Sequence, residues 1–319
     1  MKASSSPAPK TTELSTWRRL AAQTRRVIAP PVADDLPLSS AATVNAHFWL
    51  GQFPWRITAG WSVVAALLAA GALWRPWNLV WRDVVLLWLL ADPIWGSLWR
   101  LAAGRLELPA QRGRSWASDF WLPYLRPGSP AAQLLGGDGP ASLPLLFRVA
   151  LPGALVALVA ASALGRTAIW MTAAVMVITV VGWISVRLFN RPPILLHSIV
   201  TVGMPWFLTL SLFGTSFGVG GVENQHTVSL ALAVLWTLHV WGGERAICFA
   251  DDWLGAILMG IAQFGIGVLL VTARAPIWLA VLVALWLPTW LTVYRRGSLA
   301  RHRFWWLLAM LVSALAVGG

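Results

Sequence analysis

A single carboxylate followed by two tryptophans is the feature of this sequence that bears most directly on chemistry. Asp92 closes an apolar segment, and Trp95 and Trp99 follow it at offsets of three and seven residues. Residues at such offsets share one face of an α-helix. Carboxylates at these positions would bind Mg²⁺ through oxygen, whereas indoles offer the ion no ligand. The spacing therefore predicts a helix face with one acid where a metal site needs several.

The other candidates for catalysis are charged residues near the end of a later apolar segment. They are Glu244, Arg245, Asp251 and Asp252. Ionised side chains near a membrane interface usually pair with one another or with backbone groups. A structural interpretation is therefore that Asp92 caps a helix or pairs with Arg100, and that Glu244 pairs with Arg245 or with a neighbouring helix. We predict no metal site from these residues.

Two histidines and two tryptophans inside apolar segments are candidates for binding a cofactor. A neutral imidazole of His197 or His239 could ligate a haem iron or the magnesium of a chlorin. The rings of Trp206 and Trp236 could flank a flat pigment or quinone, and packing of the protein core is the alternative for all four residues. The single cysteine, Cys248, excludes an intrachain disulfide and is predicted to pack in the core.

Composition indicates the class of protein. Hydrophobic residues make up 58% of the 319 residues and charged residues 11%, and the mean hydropathy is +0.68. Too little polar surface remains to cover a water-soluble globule. We predict an all-α integral membrane protein with nine transmembrane helices. The predicted spans are 57–74, 80–101, 144–164, 167–188, 193–214, 227–248, 252–272, 276–294 and 303–319.

The distribution of basic residues predicts the topology. With a cytoplasmic N-terminus, all but four of the 24 Lys and Arg residues fall in or beside cytoplasmic loops. The four exceptions are Arg75, Arg82, Arg166 and Arg274. The net charge of +12 is therefore a topology signal and an attraction to anionic membrane lipids, and we predict no binding of nucleic acid. The expected location is the inner (cytoplasmic) membrane, with the C-terminus on the opposite side.

Three polar regions complete the predicted domain organisation. Residues 1–12 are rich in Ser, Pro and Lys and are predicted to be a disordered tail. Residues 13–56 read as a basic amphipathic segment lying in the cytoplasmic headgroup layer, with a solvated helix that docks on a partner as the alternative. The nine-helix domain follows over 57–319. Its long cytoplasmic loop, 102–143, is either a lid or docking surface or a lipid-facing spacer.

The fifth span carries a pattern that resembles a known family. The sequence reads NRPPILL over 190–196, MPW over 204–206 and LFG over 212–214. These segments resemble chlorophyll and bacteriochlorophyll synthases of the UbiA superfamily of membrane prenyltransferases. The resemblance implies nine helices around a central cavity. It also implies two acidic motifs, near helices 2–3 and 6–7, that hold an isoprenoid diphosphate through Mg²⁺ on the cytoplasmic side.

The sequence departs from the family at both motifs. A family-type first motif would need acids at Trp95 and Trp99, and only Asp92 is present. The second motif would place an acid and a lysine near Thr237 and His239, and only Glu244 is left, with Asp251 and Asp252 out of phase. Removal of a diphosphate requires several oxygen ligands for Mg²⁺, together with cations for the phosphates.

Two hypotheses about function follow. In the first, the chain has lost catalysis and is a non-catalytic subunit that packs against other integral membrane proteins. The resemblance to chlorophyll synthases makes a photosynthetic pigment–protein complex the candidate host, with bacteriochlorophyll, carotenoid, quinone or lipid as candidate ligands. In the second, the chain is a divergent Mg²⁺-dependent prenyltransferase acting on an aromatic, quinone-precursor or chlorophyllide acceptor. Small-residue tracks at Gly153-Ala154, Ala160-Ala161 and Gly255 with Gly260 are predicted to face either partner subunits or the interior.

Overall fold

The structure is a computed structural model that describes residues 54–72, 76–103, 150–189, 192–214, 222–249 and 253–319. All regular secondary structure in these ranges is helical, which confirms the all-α prediction for the described part of the chain. The predicted tail at 1–12 lies outside the described residues. So do nearly all of the 13–56 segment and of the 102–143 loop.

The described residues form nine helical segments in chain order. Seven of them are single helices, and two are α-helices joined end to end through a π-helical turn. The segments are α1 (Ala59–Ala69), α2 (Trp77–Leu89) with a π turn (Leu90–Trp95) and α3 (Gly96–Ala103), α4 (Leu151–Leu164), α5 (Arg166–Phe189), α6 (Ile194–Ser198) with a π turn (Ile199–Gly203) and α7 (Met204–Phe213), α8 (Val222–Cys248), α9 (Trp253–Thr272), α10 (Pro276–Tyr294) and α11 (Arg303–Gly318). A 3₁₀ turn, Leu299–His302, precedes α11.

The nine segments match the nine predicted spans, but they differ in length and apolar character. Four are long and apolar enough to cross a membrane, namely Arg166–Ser185, Ile194–Phe213, Trp253–Thr272 and Pro276–Tyr294. Helices α1 and α4 are apolar but have only 11 and 14 residues, or about 16 and 21 Å. Both are shorter than the hydrocarbon core of about 30 Å. Helix α8 is long enough, but its first turns carry the polar run Glu-Asn-Gln-His.

Prolines account for the two π-helical turns. Pro93 lies inside the first turn, and Pro205 follows the second turn by two residues. Proline has no backbone N–H and therefore cannot make the i→i−4 hydrogen bond of an α-helix. A single-turn π-bulge absorbs that loss without ending the helix. Each turn therefore changes the direction in which the side chains before and after it point.

The segments pack around two large buried apolar clusters, and a third, small cluster contains Met259, Leu299 and Trp306. One cluster is formed by α1, the second π turn, α7, α8, α9, α10 and α11, and the other by α1, α2, α3, α4, α5 and the segment from α6 to α7. Helix α1 and the α6–α7 segment contribute to both clusters and therefore lie at the centre of the bundle. Helices α4, α5, α9 and α10 expose long rows of Val, Ile, Leu and Trp and form its periphery.

Candidate functional site

Asp92 lies in the first π turn, where it is fully buried. Its side chain contacts the N-terminal end of helix α1. Its Oδ1 accepts a hydrogen bond of 2.9 Å from the backbone N–H of Gly60. Gly60 is in the first turn of α1, where backbone N–H groups have no partner inside the helix. The N-cap residue, Thr58, makes no side-chain cap bond. Asp92 therefore caps α1 from a neighbouring segment, where its negative charge also suits the helix dipole.

The close approach of Asp92 requires glycine at position 60. A Cβ atom there would lie 2.8 Å from Trp88 Nε1 and 3.0 Å from Asp92 Oδ1. Both separations are shorter than normal van der Waals contact, so a larger residue would push the π turn away from α1. Gly60, Trp88 and Asp92 therefore form one closely fitted contact.

Trp95 and Trp99, at the positions where the family has acids, pack against α5. The indole N–H of Trp95 donates to Thr172 Oγ1 at 3.2 Å. Trp99 lies over Gly182, where an added Cβ would be 2.9 Å from the indole ring. The ring of Trp99 also faces His197 with a centroid distance of 5.9 Å and an interplanar angle of 34°. Both indoles therefore attach the α2–α3 segment to its neighbours.

Glu244 forms a partly buried ion pair with Arg303, which sequence reasoning did not identify as its partner. The Arg303 guanidinium on α11 donates to Glu244 Oε2 at 2.8 Å, and the two side chains are 8% and 19% exposed. The neighbouring Arg245 places its guanidinium over the ring of Phe249 at 5.9 Å. Asp251 and Asp252 lie outside the described residues. The ion pair joins the end of α8 to the start of α11.

These contacts bring several of the predicted site residues to one end of the bundle. Trp99 is near the end of the α2–α3 segment, and His197 is near the start of α6. Helix α6, which carries His197, packs against α8, which carries Glu244. Asp92 lies seven residues before Trp99, about 10 Å deeper along the helix axis.

His239 belongs to a polar network inside the bundle. Its Nε2 lies 3.1 Å from the side-chain nitrogen of Gln263, and the indole N–H of Trp290 donates to Gln263 Oε1 at 2.5 Å. Because an indole nitrogen can only donate, the amide oxygen must accept from Trp290 and the amide nitrogen must donate to His239. The imidazole is therefore neutral, with its proton on Nδ1.

The surroundings of His239 leave no room for a macrocycle. The residue is fully buried, and the rings of Trp236 and Trp306 flank it at centroid distances of 4.9 and 5.3 Å. Its Nε2, the nitrogen that could bind a metal, already accepts from Gln263. The arrangement instead joins α8, α9 and α10 through polar bonds. Gln263 was missed in the sequence, although it is a lone amide in an apolar segment.

Trp206 and Trp236 lie in the apolar core, both fully buried. Trp236 donates its indole N–H to Ser313 Oγ on α11 at 2.8 Å. The indole N–H of Trp206 has no acceptor among the described residues. Neither ring has an accessible face, so these residues do not line an open site for a flat ligand.

The donor set around Asp92 and Glu244, the two described acids at the motif positions, does not fit the Mg²⁺–diphosphate site that the resemblance implies. Asp92 is committed to an amide of α1, and Glu244 is committed to Arg303. Within the described ranges, no three His, Cys, Asp or Glu side chains gather where a metal ion could bind. Mg²⁺ needs oxygen ligands in near-octahedral geometry. We therefore derive no reaction step through such an ion.

A groove between α9 and α10 is a feature that the sequence did not predict. It has a volume of about 780 Å³ and opens on the periphery of the bundle. Gly260 and Gly267, seven residues apart on α9, form part of its wall, and the Gln263 side chain lies between them. The seven-residue spacing of the two glycines is visible in the sequence. Whether it produces a groove depends on which helix packs opposite them.

The chain matches no protein-family model, and no similar curated protein or solved structure was found.

Proposed function

We propose that this chain is a UbiA-like membrane protein that has lost prenyl transfer and acts as a non-catalytic subunit of a larger membrane complex. One observation carries the proposal. Both described acids at the family's motif positions hold helices together, since Asp92 caps α1 and Glu244 pairs with Arg303. Acids used in this way are not available to bind the Mg²⁺ that would hold a diphosphate.

The replacement of the other motif acids supports the same proposal. Trp95 is hydrogen-bonded to α5, and Trp99 is packed on Gly182. A substitution of acid by indole at both positions adds apolar contact area at the cost of charge. Tryptophans at these positions strengthen helix packing. They fit a bundle that does not hold a charged substrate.

The apolar periphery supports a role within a membrane assembly. Side chains such as Val159, Trp170 and Phe264 are 70%, 66% and 75% exposed. Exposed apolar side chains of this kind fit a surface covered by lipid or by another membrane protein. We propose that the chain crosses the inner membrane with its N-terminus in the cytoplasm. Other integral membrane subunits, such as those of a photosynthetic pigment–protein complex, then pack against its outer helices.

Isolation of the tagged protein from its native membranes in mild detergent tests this proposal. We expect a complex on native gels, with defined membrane subunits identified by mass spectrometry. A pigment absorption spectrum of the complex would identify a photosynthetic host. A monodisperse monomer without a co-purifying protein or pigment would contradict the subunit role.

A transfer assay tests the loss of catalysis. The purified protein is incubated with Mg²⁺, geranylgeranyl or phytyl diphosphate, and an aromatic, quinone-precursor or chlorophyllide acceptor. We expect no product above the level of a detergent blank. Turnover that is lost in Asp92→Asn, a variant that keeps an oxygen acceptor for Gly60, would favour the divergent prenyltransferase.

A further inference from the structure

The connection between α10 and α11 carries a cluster of exposed cations. Arg295 and Arg296 follow the last residue of α10, and Arg301 lies in the 3₁₀ turn before α11. All three side chains are exposed, and no carboxylate in the described part of the chain pairs with any of them. Exposed cations without counter-charges attract anions. The partner that fits this surface is therefore negatively charged.

Local contacts hold this connection in one shape. Thr292 Oγ1, in the last turn of α10, lies 2.7 Å from Nε2 of His302, the residue before α11. Leu299 is buried in the third apolar cluster, and Arg303 is held by Glu244. The exposed cations therefore lie on an ordered turn. A ligand that binds there does not have to order the backbone first, which lowers the entropic cost of binding.

Arg296 occupies a backbone position that usually takes glycine. Its φ is 51°, in the left-handed region that disfavours residues with a Cβ atom. The N–H groups of Arg296 and Gly297 donate to the carbonyl oxygens of Val293 and Thr292 at 3.1 and 2.9 Å. These two bonds form a Schellman motif, whose left-handed residue is most often glycine. Here the cation is present in spite of the conformational cost.

Arg274, at the end of α9, is a second arginine in the same backbone setting. Its φ is 57°, and its N–H and that of the next residue donate three and five residues back, as at Arg296. A cation at either position suits the negative end of a helix dipole. Helix α10 separates the two arginines by about 28 Å, and only Arg296 lies within a cluster. The dipole therefore does not account for the cluster.

Exposed aromatic side chains lie at the same end of the bundle as the cluster. Tyr294, next to Arg295, is 88% exposed, and Trp305 in the first turn of α11 is also exposed. Trp55 is exposed and meets Phe304 edge-on, with the ring centroids 5.5 Å apart. Trp and Tyr concentrate at the level of the lipid headgroups. The aromatic residues therefore favour a position of the arginines at the depth of the headgroup phosphates.

We propose that Arg295, Arg296 and Arg301 bind the phosphate of an anionic phospholipid in the cytoplasmic leaflet. Guanidinium groups hold phosphate oxygens through paired, charge-assisted hydrogen bonds. The cytoplasmic surface of a membrane is negatively charged and attracts such residues. This inference rests on the membrane placement given under Proposed function. It does not depend on whether the chain is a subunit or an enzyme.

Lipid retention by the full chain tests the site. The protein is purified in mild detergent with an equimolar mixture of phosphatidylglycerol and phosphatidylcholine, and native mass spectrometry compares the bound lipids. We expect the wild type to retain phosphatidylglycerol in preference to phosphatidylcholine. Arg296→Gly should lower this preference about fivefold, the contribution of one basic residue at an anionic surface. The preference should also fall as the salt concentration rises.

Arg274→Gly is the matched control for Arg296→Gly. Each change removes one cation from a helix C-terminus, and glycine suits both left-handed positions, so both variants should fold like the wild type. Arg274→Gly should keep the lipid preference of the wild type. The double variant Arg295→Gln with Arg301→Gln should lower the preference further than Arg296→Gly does. Thermal unfolding in the same detergent checks the fold of each variant.

Several outcomes would overturn the proposal. Equal losses in Arg296→Gly and Arg274→Gly would mean that any missing cation weakens a general attraction. Release of the lipid by excess inorganic phosphate would assign the cluster to a soluble anion.

Reconstitution into lipid vesicles separates this proposal from the membrane placement. A protein that carbonate extracts from the vesicles would contradict the placement, and the lipid site with it. A protein that stays inserted but shows no preference for phosphatidylglycerol would contradict the lipid site alone.

Discussion

The hydrogen bond from Gly60 accounts for the burial of the Asp92 carboxylate. A fully buried carboxylate is costly unless hydrogen bonds satisfy it, and here the N-terminal turn of α1 provides an N–H donor and a favourable dipole. The acid therefore fixes where α1 begins relative to the π turn. Gly60 makes this contact possible because it has no side chain.

The first prediction concerns this contact. Gly60→Ala should lower the free energy of unfolding by about 1–3 kcal/mol, because its Cβ would overlap Trp88 and Asp92. Gly153→Ala is the matched control, since its Cβ meets Leu98 at an ordinary 3.5 Å. Thermal unfolding in detergent, followed by tryptophan fluorescence, measures both. Equal melting temperatures for the two variants would contradict the fitted contact.

The second prediction concerns the ion pair between Glu244 and Arg303. Glu244→Gln leaves the buried guanidinium without its carboxylate and should destabilise the protein by about 3 kcal/mol. The double variant Glu244→Leu with Arg303→Met removes both charges and should recover most of that loss. The same unfolding assay compares them. A double variant as unstable as Glu244→Gln would mean that the lost stability does not come from an uncompensated charge.

At the scale of elements, α8 and α9 come into close backbone contact through two glycines, Gly242 and Gly255. A Cβ on Gly255 would lie 2.8 Å from the carbonyl oxygen of Gly242 and 2.7 Å from the backbone nitrogen of Ala246. The small-residue track at Gly255 therefore faces the interior, which decides between the two orientations that the sequence left open. Gly153 and Gly260 likewise face Leu98 and Trp290 of neighbouring helices.

The third prediction follows from this backbone contact. Gly255→Ala should force α8 and α9 apart and lower the melting temperature, with aggregation on gel filtration if the loss exceeds a few kcal/mol. Gly267→Ala, on the same helix but facing the groove, should behave as the wild type. A Gly255→Ala protein that melts normally and yet loses a partner on native gels would place this glycine at a subunit interface.

At the scale of the whole molecule, the bundle has a buried centre and an apolar edge. The α6–α7 segment has the largest buried share of the four long apolar helices, 56%, and α10 has the smallest, 17%. A helix with so little buried surface needs lipid or a partner to cover it. We therefore expect lipid or a partner protein to cover the edge formed by α9 and α10.

The fourth prediction is the topology of the chain. A reporter fused after Gly319 should give an external signal, and one inserted in the 102–143 loop a cytoplasmic signal. The physical reason is that Lys and Arg are retained on the cytoplasmic side of the membrane. A phosphatase and a fluorescent-protein fusion at each site act as reciprocal controls. A cytoplasmic signal from the C-terminal fusion would contradict nine crossings.

The sequence by itself determined the helical class and the positions of the nine segments. Apolar runs and their limits are local properties, so the ends of α9 and α10 agree with the predicted spans to within one residue. The two π turns also have a local cause in Pro93 and Pro205. The contacts of a given side chain could not be predicted from the local sequence, because they depend on which helices become neighbours.

The tertiary structure decided the partners and hence the interpretation of the candidate site. Glu244 pairs with Arg303, 59 residues away, and Asp92 reaches back 32 residues to Gly60. Trp305 and Trp306 are adjacent in sequence, yet the first is 37% exposed and the second 2%. Neighbouring helical residues point about 100° apart, so their burial depends on the position of the next helix. Only helix packing could place α10 opposite Gly260 and Gly267 and so form the groove.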